Sequence, residues 1–402
     1  MASKKKKVDY DESEFYHLDH LFKVAPISEF YYYLIIGERS NGKSFSVQEL
    51  ALRNYLERGE QIAIIRRWDI DWKNNYLKVW EGFINNIYKG NILEEMSKGK
   101  WNSFYFNSGQ WFLQRIAKKQ YMDKEKNRLF EVGDVEERDI KPFGFAFSLN
   151  LYEHKKGTQY PGVTTILFDE FITRRAYLNG GEEVPLFWDL LSTIVRREAR
   201  ARVFMCANTI SKECPYFYEF GLRRVKDMKQ GQIDIYRYGD SGLKVAVEYC
   251  DTGKASKMKK ASNVYFAFDN EHITNMITEG GWEVALYPHM PLEDVMPKEI
   301  LYIYFIVWND DILQCEIIQR GEILITYIHR KTTPIKDDGA MVYQKGHDPR
   351  PNYARRISYP TNKLQSLIAR FFTAQKVYYQ DNDVGEIVRA YLDWQESPQA
   401  SY

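Results

Sequence analysis

Residues 31–44 read YYYLIIGERSNGKS, and the prediction for the first half of the chain starts from them. Tyr31–Ile36 is an apolar run typical of a buried strand. Gly37–Ser44 fits the pattern G-x-x-x-x-G-K-[ST] in full, and the apolar residues after it recur with the period of a helix that Gly59 ends. In such a strand–loop–helix the loop N–H groups and the positive end of the helix face phosphate oxygens. The stretch therefore predicts a nucleotide-binding loop.

The residues of this loop have separate expected roles. Lys43 would reach the β- and γ-phosphates of ATP, and the Ser44 hydroxyl would bind Mg²⁺. The residues expected to line the phosphate site are Gly37, Arg39, Ser40, Asn41, Gly42, Lys43 and Ser44. ATP and Mg²⁺ are the ligands that the pattern indicates, and an ordinary glycine turn is the alternative.

A second apolar strand ends in two adjacent acids. Residues 164–170 read TTILFDE, so Asp169 and Glu170 directly follow the strand. Asp169 would hold Mg²⁺ through the shell of the ion, and Glu170 could polarise the attacking water as the catalytic carboxylate. An acid pair in this position can also open a surface loop, and that alternative stays open.

A third strand, at residues 202–207, ends in Asn208. The Asn208 amide could contact the γ-phosphate or the attacking water, and a turn-forming asparagine is the alternative. An acid pair with a catalytic glutamate beside a strand with a polar tip is more typical of motor and translocase ATPases than of small-molecule kinases.

Basic residues cluster around this predicted core. Four arginines, at positions 196, 197, 200 and 202, follow an apolar helix. They could form a solvated face, contact phosphates, or supply an arginine finger across a subunit interface, for which Arg196 is the candidate. The candidates for contacts with a phosphate backbone or with a neighbouring subunit are Arg66, Arg67, Lys73, Lys156, Arg197 and Arg200.

Strands that alternate with helices predict an α/β fold with a parallel sheet covered on both faces. Residues 73–96 are expected to be helical, and 101–147 to form a hairpin-like insertion. The expected domains are a tail and lead-in at 1–28, an ATPase domain at 29–240, a linker or lid at 241–285 and a C-terminal domain at 286–402. In the last of these, three apolar runs predict an antiparallel meander, followed by helices at 363–378 and 383–395.

Composition excludes several classes of protein. Lys plus Arg (56) nearly equals Asp plus Glu (55), so a nucleic-acid partner would be bound by local basic patches. The four cysteines have no metal-ligand spacing and make no disulfide framework. No apolar run approaches a membrane span, and Lys4–Lys7 precede no apolar signal-peptide core. We expect a soluble protein of a reducing compartment with no membrane partner.

Residues 160–172, YPGVTTILFDEFI, extend the acid-bearing strand into a longer block. With the phosphate loop, this block resembles the DNA-packaging ATPases of φ29-like, short-tailed bacteriophages, which have a closely similar Y-P-x-V-x-T-I-x-F-D-E-F-I block. The arginine-rich helix end, residues 207–211 and the P-Y-F run at 215–217 also have counterparts in that family. The similarity covers residues 30–220 and is faint beyond them.

The resemblance implies a P-loop ATPase domain with an additional-strand catalytic glutamate. It implies a homo-oligomeric ring, a pentamer, at the portal (connector) vertex of an empty capsid in the host cytoplasm, where ATP hydrolysis drives double-stranded DNA inward. It also implies that Arg196 acts in trans on the neighbour's nucleotide, with Lys156 as a second contributor. Members of the family can need a structural RNA between motor and capsid.

The family's C-terminal domain resembles the RNase-H-like nuclease of large terminases but lacks the metal-binding acids. Here Asp310 and Asp311 are expected in a turn between two strands instead of a cluster on a sheet. The prediction is therefore a vestigial α+β domain that does not cleave DNA. The alternatives are another P-loop nucleic-acid enzyme, such as a helicase or a terminase with an active nuclease, and a structural protein that binds ATP without useful turnover.

Overall fold

The computed structural model describes residues 15–39, 41–73, 75–123, 128–151, 160–173, 177–178, 183–195, 200–251, 282, 285–290, 294–336 and 339–396. The chain divides into two compact units. The first unit lies within Met1–Ile172, Leu186–Thr209 and Asp227–Gly281. The second lies within Thr173–Pro185, Ile210–Lys226 and Trp282–Tyr402.

The described residues of the first unit form both helices and strands. The helices of both units are α1 (Asp19–Val24), α2 (Lys43–Arg58), α3 (Glu81–Ile84), α4 (Ile92–Met96), α5 (Glu183–Val195), α6 (Pro215–Glu219), α7 (Lys363–Thr373) and α8 (Asn382–Gln395). The strands of the first unit are β1 (Tyr32–Gly37), β2 (Gln61–Arg66), β3 (Ser103–Asn107), β4 (Gln110–Asp123), β5 (Arg128–Arg138), β6 (Gly144–Ser148), β7 (Val163–Asp169), β8 (Arg202–Asn208), β9 (Gln232–Tyr238) and β10 (Leu243–Tyr249). Those of the second are β11 (Ile300–Trp308), β12 (Asp311–Arg320), β13 (Ile323–Arg330), β14 (Val342–Gln344), β15 (Tyr353–Ala354) and β16 (Val377–Tyr379). None of the described helices combines the length and the apolar character that crossing a membrane requires.

One mixed sheet organises the first unit. Its strand order in the described residues is β3-β4-β6-β2-β7-β8-β1-β10-β9, with β5 paired to β4. The neighbouring strands of this sheet run parallel to one another over the stretch β6-β2-β7-β8-β1-β10. The strands β3, β4 and β5 and the strand β9 add antiparallel pairs on the two sides. The predicted α/β class with a sheet rich in parallel pairs is confirmed.

The central strands are apolar because both faces of the sheet are covered. On β7, Leu167 packs into the core cluster that contains Val47 and Leu52 of α2. The next residue, Phe168, faces the opposite side and stacks on Phe187 of α5, with ring centroids 5.1 Å apart. Successive residues of one strand thus contact helices on opposite faces, which explains the continuous apolar runs.

Residues 243–249 differ from the expectation that a linker or lid begins at residue 241. They form β10, which pairs in parallel with β1 and buries Val245 and Val247. The lysines at 244 and 254–260 obscured this short strand in the sequence. The rest of the expected linker, residues 252–281, lies outside the described residues, and the domain boundaries stay a prediction.

The segments between β2 and β6 are also more varied than expected. Residues 73–96 contain the short helices α3 and α4, and not one continuous helix. Trp80, directly before α3, packs against Phe104 and Phe143, with ring centroids 5.5 and 4.9 Å apart. This segment therefore contributes to a core that includes the β3–β4 hairpin. The hairpin expected within 101–147 is present, and residues 144–148 continue into the parallel sheet as β6.

The second unit contains a six-stranded sheet of the order β15-β14-β11-β12-β13-β16 in its described part. The antiparallel meander predicted at 300–328 is confirmed as β11, β12 and β13. The helix expected at 363–378 ends at Thr373, because Val377–Tyr379 forms β16 and pairs in parallel with β13. A β-branched residue followed by two tyrosines has strong strand propensity, which the helical period concealed.

Candidate functional site

The strand order brings the three predicted site strands together. The strand β8 lies between β1 and β7 and runs parallel to both, so the carboxyl ends of the three strands meet at one edge of the sheet. At that edge Gly37 is in register with Asn208, and Asp169 with Cys206. In open parallel sheets this edge is where ligands bind.

The phosphate loop requires glycine at two positions. Gly42 has φ +101°, a left-handed conformation that strains other residues, and it directly precedes α2. A Cβ atom at Gly37 would lie 2.9 Å from the Cβ atom of Cys250, closer than side chains pack. The loop therefore reaches the N-terminus of a 16-residue helix, whose first N–H groups favour an anion.

Ser44 and Asp169 lie next to each other across this edge. The Ser44 hydroxyl donates to Oδ1 of Asp169 at 2.6 Å, although the two residues are 125 positions apart. Two oxygens that bind one Mg²⁺ at about 2.0–2.1 Å in octahedral geometry lie about 2.9 Å apart. The pair therefore fits a magnesium ion with little movement.

The ammonium group of Lys43 is buried under the loop. Its Nζ donates to the Gly37 and Glu38 carbonyls, to Asn41 Oδ1 at 3.1 Å and to Asn208 Oδ1 at 3.5 Å. Burial lowers the pKa of Lys43. The contact with Asn208 joins the predicted sensor strand to the phosphate loop.

We expect Lys43→Ala to reduce ATP turnover by at least about a hundredfold, because it removes a preorganised positive charge from the phosphate site. The rate of phosphate release and the affinity for a fluorescent ATP analogue measure the effect. Lys78→Ala, which removes an exposed lysine, is the control. Turnover near that of the wild type in Lys43→Ala would contradict the assigned role.

Glu170 has an unusual backbone. Its φ of +60° is left-handed, which costs a non-glycine residue about 1–2 kcal/mol. The side chain lies at the open rim of the site, yet the protein atoms around the carboxyl raise its pKa, and the neighbouring Asp169 charge adds to this increase. Arg66 and Arg39 act in the opposite direction and lower the same pKa.

Arg66 and Arg67, which the sequence offers as contacts to DNA or to a neighbouring subunit, both contact the acid-bearing strand end within the chain. Their role toward DNA or a neighbouring subunit stays a prediction. Arg66 Nη2 lies 3.3 Å from Oδ2 of Asp169. Arg67 is only 5% exposed and donates to the backbone carbonyls of Glu170 and Phe171. The reason is topological: β2 is the neighbour of β7, so the residues that follow both strands share one edge of the sheet.

The other basic residues that the sequence predicts as contacts are either exposed or lie outside the described residues. Lys73, Arg39 and Arg200 are exposed. Four predicted site residues lie outside the described residues: Ser40, Lys156, Arg196 and Arg197. Their assigned roles stay predictions.

Sequence reasoning missed a segment that contacts the phosphate loop. The Tyr16 N–H donates to the Asn41 carbonyl at 2.9 Å, and Ser46 Oγ donates to the Tyr16 carbonyl. The Tyr16 hydroxyl donates to the buried Glu248 of β10 at 2.6 Å, and His20 pairs with the same carboxyl group. No local pattern marks this cluster, because Tyr16 and Glu248 are 232 residues apart.

We expect the His20–Glu248 pair to make stability depend on pH. The hydrogen bond to Glu248 raises the pKa of His20 above its ordinary 6.5 in the folded chain. The resulting stabilisation is complete below pH 6.5 and disappears as the pH rises through the folded pKa. His20→Gln should therefore lower the free energy of unfolding, measured with denaturant, below pH 6.5 but not at alkaline pH. An equal effect at all pH values would contradict this prediction, and the exposed His347→Gln is the control.

The acids at the β11–β12 turn are held by basic side chains. Arg330 Nη1 lies 2.6 Å from Oδ1 of Asp311, and Arg223 Nε lies 3.0 Å from Oδ2 of Asp310. Lys226 is 3.6 Å from the other oxygen of Asp311. In the described part of the chain, no three His, Cys, Asp or Glu side chains are grouped so that they could hold a metal ion.

Comparison with known proteins relates the chain to viral DNA packaging. Residues 124–275 match the family of the Podovirus DNA encapsidation protein (Gp16), a region that contains the acid pair and Asn208. The chain is 29% identical over 191 residues to a DNA packaging protein of Bacillus phage B103, which covers 47% of each chain. It is 28% identical over 216 residues to the DNA packaging protein of Bacillus phage phi29, which covers 53% of this chain and 52% of that protein. The chain spans about half the length of these curated relatives.

The fold likeness extends further. The structure is similar to a chain of the bacteriophage Phi-29 viral genome packaging motor assembly, with a TM-score of 0.55 and 18% sequence identity. The superposition covers 94% of this chain and 100% of that chain. At that identity the likeness concerns the fold. The family match and the curated relatives confirm the resemblance to the φ29-like DNA-packaging family.

Proposed function

We propose that this relative of the φ29-like DNA-packaging proteins hydrolyses ATP to translocate double-stranded viral DNA into a preformed capsid. The observation that carries the proposal is the 2.6 Å contact between Ser44 and Asp169, which joins the phosphate loop to the acid-bearing strand. The match of residues 124–275 to a DNA encapsidation family supports DNA as the substrate that moves.

The first unit belongs, in this proposal, to the P-loop ATPases with an additional strand and a catalytic glutamate. The support is the position of β8 between the phosphate-loop strand β1 and the acid-bearing strand β7. Glu170 at the end of β7 then faces the site that the loop forms.

Each residue of the site has a chemical task in this proposal. The loop amides and Lys43 bind the β- and γ-phosphates of ATP, and Ser44 and Asp169 hold Mg²⁺. The ion, when bound, neutralises charge on the phosphate oxygens. Glu170 orients the attacking water and takes up its proton, which its raised pKa favours. Asn208 contacts the γ-phosphate and, through Lys43, senses its loss.

The working form, in this proposal, is a homo-oligomeric ring, a pentamer, at the portal vertex of a procapsid in the host cytoplasm. Arg196 of one subunit neutralises charge on the phosphoryl group held by its neighbour, with Lys156 as a second contributor. The portal is the protein partner, and a structural RNA is a further partner between motor and capsid.

The second unit is proposed to be a vestigial RNase-H-like domain that does not cleave DNA. The meander of β11, β12 and β13, followed by β14 and β15 in parallel, supports this fold. Asp310 and Asp311 are paired with basic side chains and so are poor metal ligands. A terminase with an active nuclease, the alternative, would linearise a supercoiled plasmid in Mg²⁺ or Mn²⁺.

ATP hydrolysis with and without double-stranded DNA tests the proposed function. A translocase should hydrolyse ATP faster on DNA and should displace a third strand annealed to the duplex. A structural protein that only binds ATP would do neither, and a helicase would separate the duplex strands. Absence of both DNA-stimulated turnover and third-strand displacement would overturn the proposal.

We expect DNA binding to be indifferent to sequence and steeply salt-dependent, because the balanced charge leaves only local patches to contact phosphates. Lys73 and Arg200 are the exposed candidates among the described residues. Each replacement by alanine should reduce the slope of log K against log salt by about one if that residue contacts a phosphate. Fluorescence anisotropy over a salt series measures the slope, and an unchanged slope would remove that residue from the interface.

A further inference from the structure

The backbone that carries Glu170 is bound from both neighbouring strands. On one side, the N–H groups of Glu170 and Phe171 donate to the Cys206 carbonyl of β8, at 2.8 and 3.4 Å. On the other side, Arg67, directly after β2, donates to the Glu170 carbonyl at 3.1 Å and to the Phe171 carbonyl at 2.7 Å. The peptide that turns left-handed at Glu170 is therefore bound at both its donors and its acceptors.

The Arg67 guanidinium suits this task better than a lysine would. Its planar fork donates two hydrogen bonds in fixed directions, which matches two successive carbonyls. Its carbon ζ lies 5.9 Å from the ring centroid of Phe168, so the side chain is also held by the residue that precedes the acid pair. At 5% exposure it is poorly placed to contact a DNA strand or another subunit.

We propose that Arg67 is the positioning residue of the catalytic carboxylate: it holds the Glu170 backbone in its left-handed conformation and thereby aims the side chain at the attacking water. The inference rests on the proposed ATPase function and deepens it. In this proposal Arg67 acts on the reaction through the backbone of Glu170 and not on the nucleotide or the metal ion. The neighbouring Arg66 acts differently, because its partner is the Asp169 carboxylate.

The experiment compares Arg67→Gln, Arg67→Lys and Arg53→Gln. The third variant replaces an exposed arginine that forms an ion pair with Glu49 on the surface of α2. Arg67→Gln should lower kcat about a hundredfold, the usual cost of a misplaced catalytic group, while the Kd for ATP stays at the wild-type value. Arg67→Lys can donate to only one carbonyl in good geometry and should recover part of the loss. Arg53→Gln should have wild-type kcat. A general loss of structure would instead weaken ATP binding and not be rescued by lysine.

A double-mutant cycle identifies the route of the effect. In the background of Glu170→Gln, which lacks the carboxylate to be aimed, Arg67→Gln should cause no further loss of turnover. A second hundredfold loss in that background would overturn the proposal, because Arg67 would then act independently of Glu170.

A measurement independent of turnover completes the test. Amide hydrogen exchange of the peptide that contains Glu170 and Phe171 should become faster in Arg67→Gln and stay slow in Arg53→Gln, with ATP binding intact. Unchanged exchange together with unchanged kcat would overturn the positioning role while leaving the ATPase function intact. A wild-type protein without ATP hydrolysis would overturn the proposed function itself, and hydrogen exchange would still report whether Arg67 holds the peptide.

Discussion

Glu170→Gln is expected to lower ATP turnover by about a hundredfold to ten-thousandfold while ATP still binds, because an amide cannot take a proton from the attacking water. The Ser44–Asp169 pair and the buried Lys43 ammonium, which are proposed to bind the nucleotide and its Mg²⁺, are not altered by this change. Single-turnover phosphate release measures the chemical step, and equilibrium binding of a fluorescent ATP analogue measures affinity.

The pH dependence gives the same prediction an independent check. Desolvation by the protein atoms around the carboxyl and the Asp169 charge raise the pKa of Glu170 above 4.5. The wild-type rate should therefore decline as the pH falls, at a higher pH than for an ordinary carboxyl. Arg66 lowers that pKa, and Arg66→Gln should therefore move the decline to still higher pH. Turnover of Glu170→Gln at the wild-type rate would show that another group activates the water.

Arg196→Ala is expected to lower turnover by about a thousandfold or more with ATP binding intact, the effect of removing an arginine finger. The residue lies outside the described part of the chain, so the prediction rests on its position in the sequence after an apolar helical pattern and on the family resemblance. The experiment tests at once whether the residue acts and whether it acts on the neighbouring subunit.

Mixing two inactive variants separates these possibilities. An Arg196→Ala subunit keeps Glu170, and a Glu170→Gln subunit keeps its arginine, so a mixed ring contains some complete sites at the subunit interfaces. Mixed rings should therefore recover part of the ATP turnover that neither variant shows alone. Verified mixed rings without recovery would assign Arg196 to its own subunit's site, and near-normal turnover of the single variant would exclude it from catalysis.

Local patterns predicted much of the fold because they report on local physics. The apolar run at residues 163–168 predicts a strand whatever its neighbours are, and the helical period predicts α8 within one residue. Errors arose where two signals overlapped. Residues 377–379 continued a helical period but had the stronger strand propensity, and residues 243–249 were hidden among lysines.

The sequence alone determined the parts of the site that lie close together along the chain. The phosphate loop and the acid pair are each set by a few consecutive residues, because their chemistry depends on backbone curvature and on adjacent side chains. The tertiary structure placed Ser44 beside Asp169, two residues that the sequence had assigned to one Mg²⁺. It alone decided that Tyr16 contacts Glu248 and that Arg67 binds the backbone of Glu170. The partners in these contacts are 125, 232 and 103 residues apart, and only the tertiary fold brings them together. For that reason the sequence offered Arg67 as a candidate contact to DNA or a neighbouring subunit, and only the fold shows it as a buried hydrogen-bond donor to the backbone after β7.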